Sequence, residues 1–192
     1  MDRKDFLKSC GMFGVGSCLL PGTMGAFANS VKDEPPTTPC EDKEAFSQKW
    51  VKRFFDVFDG KLDGDKRDEI MHANGRVCFL GSIGDKKVEP VDVDILIDQM
   101  NKYSGEIAAT RDGNVIDFHY VKNPRGLKVA DGYCLCPLVE SGPKGLSGTY
   151  CECSVGYVRE MFETYTGKTA SVELVESLKR GGKTCRFKIT LT

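Results

Sequence analysis

Apolar residues recur every three to four positions in three successive segments after residue 41, and this spacing predicts three helices. The first segment covers residues 42–59 and ends at Gly60, the second covers about 65–78, and the third follows Pro90 and stops before Gly105. We interpret the apolar stripe of the first helix as core packing. The members of that stripe are Phe46, Trp50, Phe54, Val57 and Phe58.

Beyond Gly105 the spacing of apolar residues changes to two, which is typical of strands. A hairpin is predicted about the turn at 112–113, a short strand at 133–139, and a helix at 154–165 with Ser154 as its N-cap. Two further strands are expected on either side of the glycines at 181–182. The order of elements predicts an α+β fold, in which N-terminal helices pack on an antiparallel sheet with one further helix and a C-terminal β-hairpin.

The first 28 residues are interpreted as a signal peptide, because basic residues precede a glycine-rich apolar stretch and Ala26-Phe27-Ala28 offers a small-x-small cleavage site. The opening residues resemble a twin-arginine export signal, with Lys4 where the second arginine normally stands. General secretion is the alternative route, and a lipid anchor on Cys18 is a third hypothesis. We therefore expect an exported protein that resides in the periplasm or another extracytoplasmic space.

Residues 29–41, polar and proline-rich, are predicted to be a disordered linker. Residues 42–192 are predicted to form a single α+β domain, with a helical part at 42–105 and a cysteine-rich part at 106–192. The net charge of −1 gives no reason to expect a nucleic-acid partner. No run of apolar residues is long enough to predict a membrane span.

Cysteines dominate the last third of the chain as two Cys-x-Cys pairs and the single Cys185. On a strand, residues two apart face the same side, so both thiols of a pair are expected to point together. A two-residue Gly-Gly loop in the last hairpin would pair Leu178 with Cys185 and Glu176 with Phe187. Glu176 would then lie on the buried face, diagonal to Cys185, where an ionised carboxylate needs a cation.

These residues predict a soft-metal site for zinc, with iron as the alternative metal. The predicted ligands are Cys134, Cys136, Cys151, Cys153, Glu176 and Cys185. Two alternatives stay open: disulfides that join the two pairs, and a solvated Glu176 at the sheet edge. Cleavage after Ala28 would leave seven cysteines, an odd number, so at least one thiol would be free or bound to a ligand. The two histidines, His72 and His119, are interpreted as ordinary surface or hydrogen-bonded residues.

The cysteine-rich part resembles, over about residues 130–192, the C-terminal part of the 4-vinyl reductase-like domains and equally the related L-2-amino-thiazoline-4-carboxylate hydrolase family. The residues that carry the resemblance are Tyr150-Cys151-x-Cys153-Ser154-x-Gly156-Tyr157, Phe162, Gly167, Val172, Glu173, Glu176, Gly181-Gly182 and Cys185-x-Phe187. It implies a zinc site beside a pocket for a small aromatic or hydrophobic molecule. Cys151 and Cys185 fall on ligand positions and Glu176 lies near the glutamate position. Ser177 stands where those domains carry another cysteine, so Cys134, Cys136 or Cys153 would have to replace it.

The sequence thus predicts an exported, metal-holding domain that binds a small molecule in an apolar pocket. The alternative is a hydrolase that opens a small ring containing sulfur or nitrogen, with Glu176 as metal ligand or proton acceptor. A third hypothesis is a disulfide-braced interaction module without metal or catalysis.

Overall fold

The computed structural model describes residues 43–123, 126–136 and 145–192, all within one compact unit. The predicted signal peptide, the linker and Cys18 lie outside these ranges. The helices described are α1 (Lys43–Lys61), α2 (Gly64–Ile83), α3 (Val93–Gln99) and α4 (Glu152–Thr166). The strands are β1 (Ile107–Asp112), β2 (Val115–Tyr120), β3 (Ala170–Glu176) and β4 (Arg186–Leu191). None of the helices in these ranges is long and apolar enough to cross a membrane.

Side-chain caps and glycines set the ends of the helices. Asp63 accepts a hydrogen bond from the Lys66 amide at 2.9 Å and starts α2, which extends five residues beyond the predicted Cys78 to Ile83. Helix α3 follows the cap residue Asp92 and continues through a π-helical turn. It stops at Gly105, which has a φ of 58°, as the sequence predicted.

The strands form one antiparallel sheet in the order β1-β2-β4-β3, which confirms the predicted fold class. The β1–β2 hairpin turns at Gly113, whose φ of 57° is a conformation that glycine adopts without strain. In the centre of the sheet Phe118 of β2 lies opposite Phe187 of β4. Both side chains are fully buried, and they form the core together with Phe162 of α4, which packs on this face.

Strands β3 and β4 pair as a C-terminal hairpin, but the predicted register is wrong. Leu174 lies opposite Phe187, and a bulge then places Glu176 opposite Arg186. The chain does not turn through a two-residue Gly-Gly loop. Instead Ser177 caps a 3₁₀ turn over Leu178–Arg180, and this turn lengthens the connection between the strands.

Two further local predictions are corrected. Residues 133–136 are not a strand, and the rest of the predicted strand at 137–139 lies outside the described residues. Helix α4 begins at Glu152, directly after a 3₁₀ turn over Gly148–Cys151 that Ser147 caps, so Ser154 is not an N-cap. Helix α4 ends at Thr166, one residue beyond the predicted end at 165, and Gly167 follows with a φ of 67°.

Four of the five residues in the apolar stripe of α1 are not core, contrary to their interpretation from the sequence, whereas Phe58 packs against the buried cluster around Phe55. Phe46, Trp50, Phe54 and Val57 are 66%, 48%, 45% and 56% exposed, respectively. Helix α1 contacts the rest of the described chain through a different face, where Phe55 is buried with Met71 and Leu146. Helical spacing identifies residues that share a face, but it does not identify what covers that face.

The backbones of helices α2 and α4 come very close where the helices cross, because each helix has a glycine at the crossing. A Cβ atom at Gly75 would lie 1.9 Å from the backbone oxygen of Cys153, and one at Gly156 would lie 1.9 Å from that of His72. Real Cβ contacts are not shorter than about 3 Å, so no side chain fits at either position. The crossing thereby fixes the N-terminal turns of α4 against α2.

Candidate thiol site

The described residues contain six cysteines, and none of them is joined in a disulfide. Cys185 is buried at 8% exposure and Cys78 is exposed. The four cysteines of the two Cys-x-Cys pairs are half-buried. Cys134, Cys136 and Cys153 pack against the small buried cluster of Phe55, Met71 and Leu146.

The second pair does not point both thiols to one side. Cys151 ends a 3₁₀ turn and Cys153 lies in the first turn of α4, and on a helix residues two apart differ in direction by about 200°. Cys153 consequently contacts α2, where the Asn74 side-chain amide donates to its sulfur at 3.4 Å. Cys151 instead neighbours Cys134 and Cys185.

Cys134, Cys151 and Cys185, which we call the thiol triad, are mutual electrostatic neighbours. A charge on Cys134 or Cys151 opposes ionisation of Cys185, and a charge on Cys151 opposes ionisation of Cys134. The three residues come from separate segments: the loop residues before 137, the turn before α4, and the residue before β4.

Burial controls the ionisation of these thiols. It raises the pKa of Cys185 to about 11, and it also raises the pKa of Cys134 above the ordinary value. Backbone amides oppose this effect, because the amide of Leu178 bonds to the Cys185 sulfur and the amide of Cys136 bonds to the Cys134 sulfur. At neutral pH Cys185 and Cys134 are therefore neutral thiols. The backbone amides beside them could donate hydrogen bonds to a thiolate.

Cys136 and Tyr150 form a second contact beside the triad, with 2.9 Å between the sulfur and the phenol oxygen. Burial is the main cause that raises the pKa of Tyr150, and its hydrogen bond to Cys136 adds to the rise. The Tyr150 ring packs edge-on against Phe55, with 5.2 Å between the ring centroids. This contact connects the thiols to the only buried side chain described on α1.

The Glu176 carboxylate is hydrogen-bonded to two backbone amides. Its carboxylate accepts the backbone amides of Lys183 at 2.5 Å and of Thr184 at 3.3 Å. The carboxylate thus closes the β3–β4 connection, and a Cβ at Gly182 would lie 2.4 Å from its Cγ atom. Glu176 remains close enough to Cys185 to raise the pKa of that thiol.

An ion pair beside the triad was missed by the sequence reasoning. Glu152, the middle residue of the second Cys-x-Cys pair, lies 3.1 Å from Nε2 of His72 and also accepts a hydrogen bond from Arg180. The hydrogen bond from His72 is the largest cause that lowers the pKa of Glu152. No local spacing could have indicated this pair, because His72 and Arg180 are 80 and 28 residues away along the chain.

Within the described ranges, no group of three or more His, Cys, Asp or Glu side chains is arranged to hold a metal ion as the side chains stand. The described residues also form a cleft of about 770 Å³ along α2 and α4. Its lining is mostly charged, including Asp68, His72, Arg76, Arg159 and Glu160. This cleft therefore differs in character from the apolar pocket expected from the sequence.

Comparison with solved structures finds similarity to a trafficking protein particle complex subunit 3 from Naegleria fowleri, covalently bound to palmitic acid. The sequence identity is 11% and the TM-score is 0.45, over 78% of this chain and 97% of that chain. No curated protein sequence matches this chain. Residues 37–192 match a family of unknown function, DUF6144, and the chain therefore belongs to that family.

Proposed function

We propose that this protein is an exported domain that binds one soft metal ion through the thiol triad, with zinc as the preferred ion and iron as the alternative. The observation that supports the proposal is that three reduced sulfurs from three separate segments are electrostatic neighbours. Thiolates are the ligands that such ions prefer. We prefer zinc to iron because Zn²⁺ favours tetrahedral thiolate sites and is not redox-active.

The surroundings of the triad favour a bound cation. Burial opposes an unpaired thiolate at Cys185 and Cys134, and a metal ion supplies the opposite charge that offsets this cost. The amides of Leu178 and Cys136 would then serve as outer-shell donors that orient the thiolates. The described side chains do not stand at ligand geometry, so metal binding requires the three sulfurs to move closer together.

Cys136 is the best candidate for a fourth ligand. It lies in the same segment as Cys134, whereas Cys153 is turned toward Asn74 on α2. Four sulfurs would close the shell and make the ion structural, fixing the residues before 137 to the start of β4. An open fourth position would hold water instead.

The test is metal analysis of protein purified under reducing conditions without chelator. We expect about one equivalent of zinc or iron in the wild type and little in Cys151→Ser. Cys78→Ser is the matched control, because Cys78 is an exposed cysteine on α2 outside the triad. Replacement of the ion by Co²⁺ should give a thiolate-to-metal charge-transfer band in wild type and control, and a weaker one in Cys151→Ser.

Metal-free protein that takes up no zinc or cobalt, with its six described cysteines reactive, would contradict the proposal. Equal metal contents in Cys151→Ser and Cys78→Ser would contradict the assignment of Cys151. Export is checked separately by locating the protein in cell fractions and by mass spectrometry of its N-terminus, which we expect at Asn29.

The small-molecule ligand and the ring-opening hydrolase stay predictions from the sequence resemblance. No observation favours the hydrolase, since the Glu176 carboxylate is engaged by two backbone amides. Turnover of an amino-thiazoline carboxylate, lost in Glu176→Gln, would support it.

A further inference from the structure

Cys153, in the first turn of α4, packs into a hollow on the surface of α2. Its backbone oxygen lies 1.9 Å from the point that a Cβ of Gly75 would occupy, and its sulfur accepts a hydrogen bond from the Asn74 side chain at 3.4 Å. Residues i, i+3, i+4 and i+7 of a helix surround one such hollow. The residues of α2 with this spacing are Met71, Asn74, Gly75 and Cys78. Cys78 is therefore a corner of the hollow that receives Cys153.

The geometry of the crossing brings the Cys78 and Cys153 thiols toward each other. Helical side chains lean toward the N-terminus of their helix, so the Cys78 thiol leans toward the turn that Cys153 touches. Because Gly75 has no Cβ, the two backbones are closer here than side chains normally permit. The thiols are also electrostatic neighbours. Cys136 is a weaker neighbour of Cys153, and the Cys136 sulfur already contacts the Tyr150 hydroxyl.

We propose that Cys78 and Cys153 form an oxidative modification site, in which a disulfide oxidant converts the two thiols to a disulfide that joins α2 to α4. With oxidised glutathione as the oxidant, the exposed Cys78 reacts first. Its thiolate attacks one glutathione sulfur and releases one glutathione thiolate. The Cys153 thiolate then attacks the Cys78 sulfur and releases the second glutathione thiolate. The protein loses two electrons and two protons, which the two glutathione thiols carry away.

The surroundings of Cys153 fit the second step of this exchange. Burial is the main cause that raises the pKa of Cys153, so this thiol is the weaker first nucleophile. The hydrogen bond from Asn74 favours the thiolate that the second step requires. A charge on Cys78 opposes ionisation of Cys153, and this charge is lost once Cys78 is bonded to glutathione. The site does not depend on metal binding, because neither cysteine belongs to the thiol triad.

The test is disulfide mapping of the full chain after incubation with oxidised glutathione. Digestion with trypsin and Glu-C cuts after Glu152 and so separates Cys151 from Cys153. We expect residues 77–86 linked to residues 153–159 as the main disulfide of Cys153. Oxidised wild type should melt roughly 5–15 °C above oxidised Cys78→Ser, because the bridge closes a long loop. A Cys153 that stays reduced, or that pairs mainly with Cys136, overturns the proposal.

Val77→Cys in the Cys78→Ser background is the matched control. Val77 is 68% exposed, so this variant keeps an accessible thiol on α2 but moves it by about 100° around the helix. We expect the control to form about tenfold less of the bridge to Cys153 than the wild type, because its Cβ points away from the hollow. Equal bridging in the control and the wild type would show that Cys153 reaches α2 thiols only by local opening, and it would overturn the site.

Discussion

Replacing Gly156 with alanine tests the close crossing of α2 and α4. The new methyl group would lie 1.9 Å from the backbone oxygen of His72 and 2.6 Å from its carbonyl carbon. These are backbone atoms of a helix, so no flexible side chain can move aside. The two helices would have to separate by more than about 1 Å before an ordinary contact distance is reached.

The expected loss of stability is about 3 kcal/mol or more. Overpacking of a tight core costs typically about 1–3 kcal/mol, and separation of the helices also removes neighbouring contacts. The gain from putting alanine for glycine in a helix is only about 1 kcal/mol and does not offset this. For a chain of this size, such a loss should lower the melting temperature by roughly 6–12 °C.

Urea unfolding followed by far-UV circular dichroism measures the effect. Gly81→Ala is the matched control: Gly81 also lies in α2, but a Cβ there would meet nothing within 4 Å. We expect that variant to be more stable than the wild type by about 0.5–1 kcal/mol, from helix propensity alone. If Gly156→Ala unfolds at the same urea concentration as Gly81→Ala, the two helices do not cross as described.

Three further outcomes are expected. The hydrogen bonds from Arg186 are the main cause that lowers the pKa of Asp117. The stabilisation by this pair is therefore present above the ordinary aspartate pKa and is lost as pH falls through the lowered one. Asp117→Asn should flatten the acid side of the stability–pH curve and cost less than about 1 kcal/mol at neutral pH, because the pair is partly exposed. The Asn101 side-chain amide forms hydrogen bonds with both the N–H and the C=O of Ala109, at 2.8 Å each. Asn101→Ala should therefore lower the free energy of unfolding, measured in urea, by about 1–3 kcal/mol. A variant with the same urea midpoint as the wild type would show that water replaces the Asn101 side chain. Removal of metal by a chelator should lower the melting temperature of the wild type and leave that of Cys151→Ser unchanged; equal shifts in both would argue against the triad.

Periodicity predicted those elements whose surroundings are simple. The β1–β2 hairpin and the stop of α3 at Gly105 are both confirmed. In each case one side of the element meets the core and the other meets solvent, so the spacing of apolar residues reports the structure directly.

Periodicity gave wrong predictions where the structure depends on the turn that joins two elements or on a packing partner distant in the chain. The last hairpin has alternating strands, yet its register depends on the 3₁₀ turn capped by Ser177, and this turn moved Glu176 opposite Arg186. The second Cys-x-Cys pair was expected on a strand, and its position at the start of α4 separates Cys151 from Cys153. Both errors arise because short polar and glycine-rich segments admit several turns of similar local energy.

The sequence by itself determined the fold class, the stop of α3 at Gly105 and the concentration of cysteines in the last third of the chain, because these depend on local spacing and on residue type. Only the tertiary structure decided which thiols are electrostatic neighbours, that His72 and Arg180 flank Glu152, and that most of the apolar stripe of α1 is exposed. The physical reason is chain distance: these contacts join residues tens of positions apart. The contact of His72 with Glu152 depends on how α2 crosses α4 at Gly75 and Gly156, and no local pattern encodes that crossing.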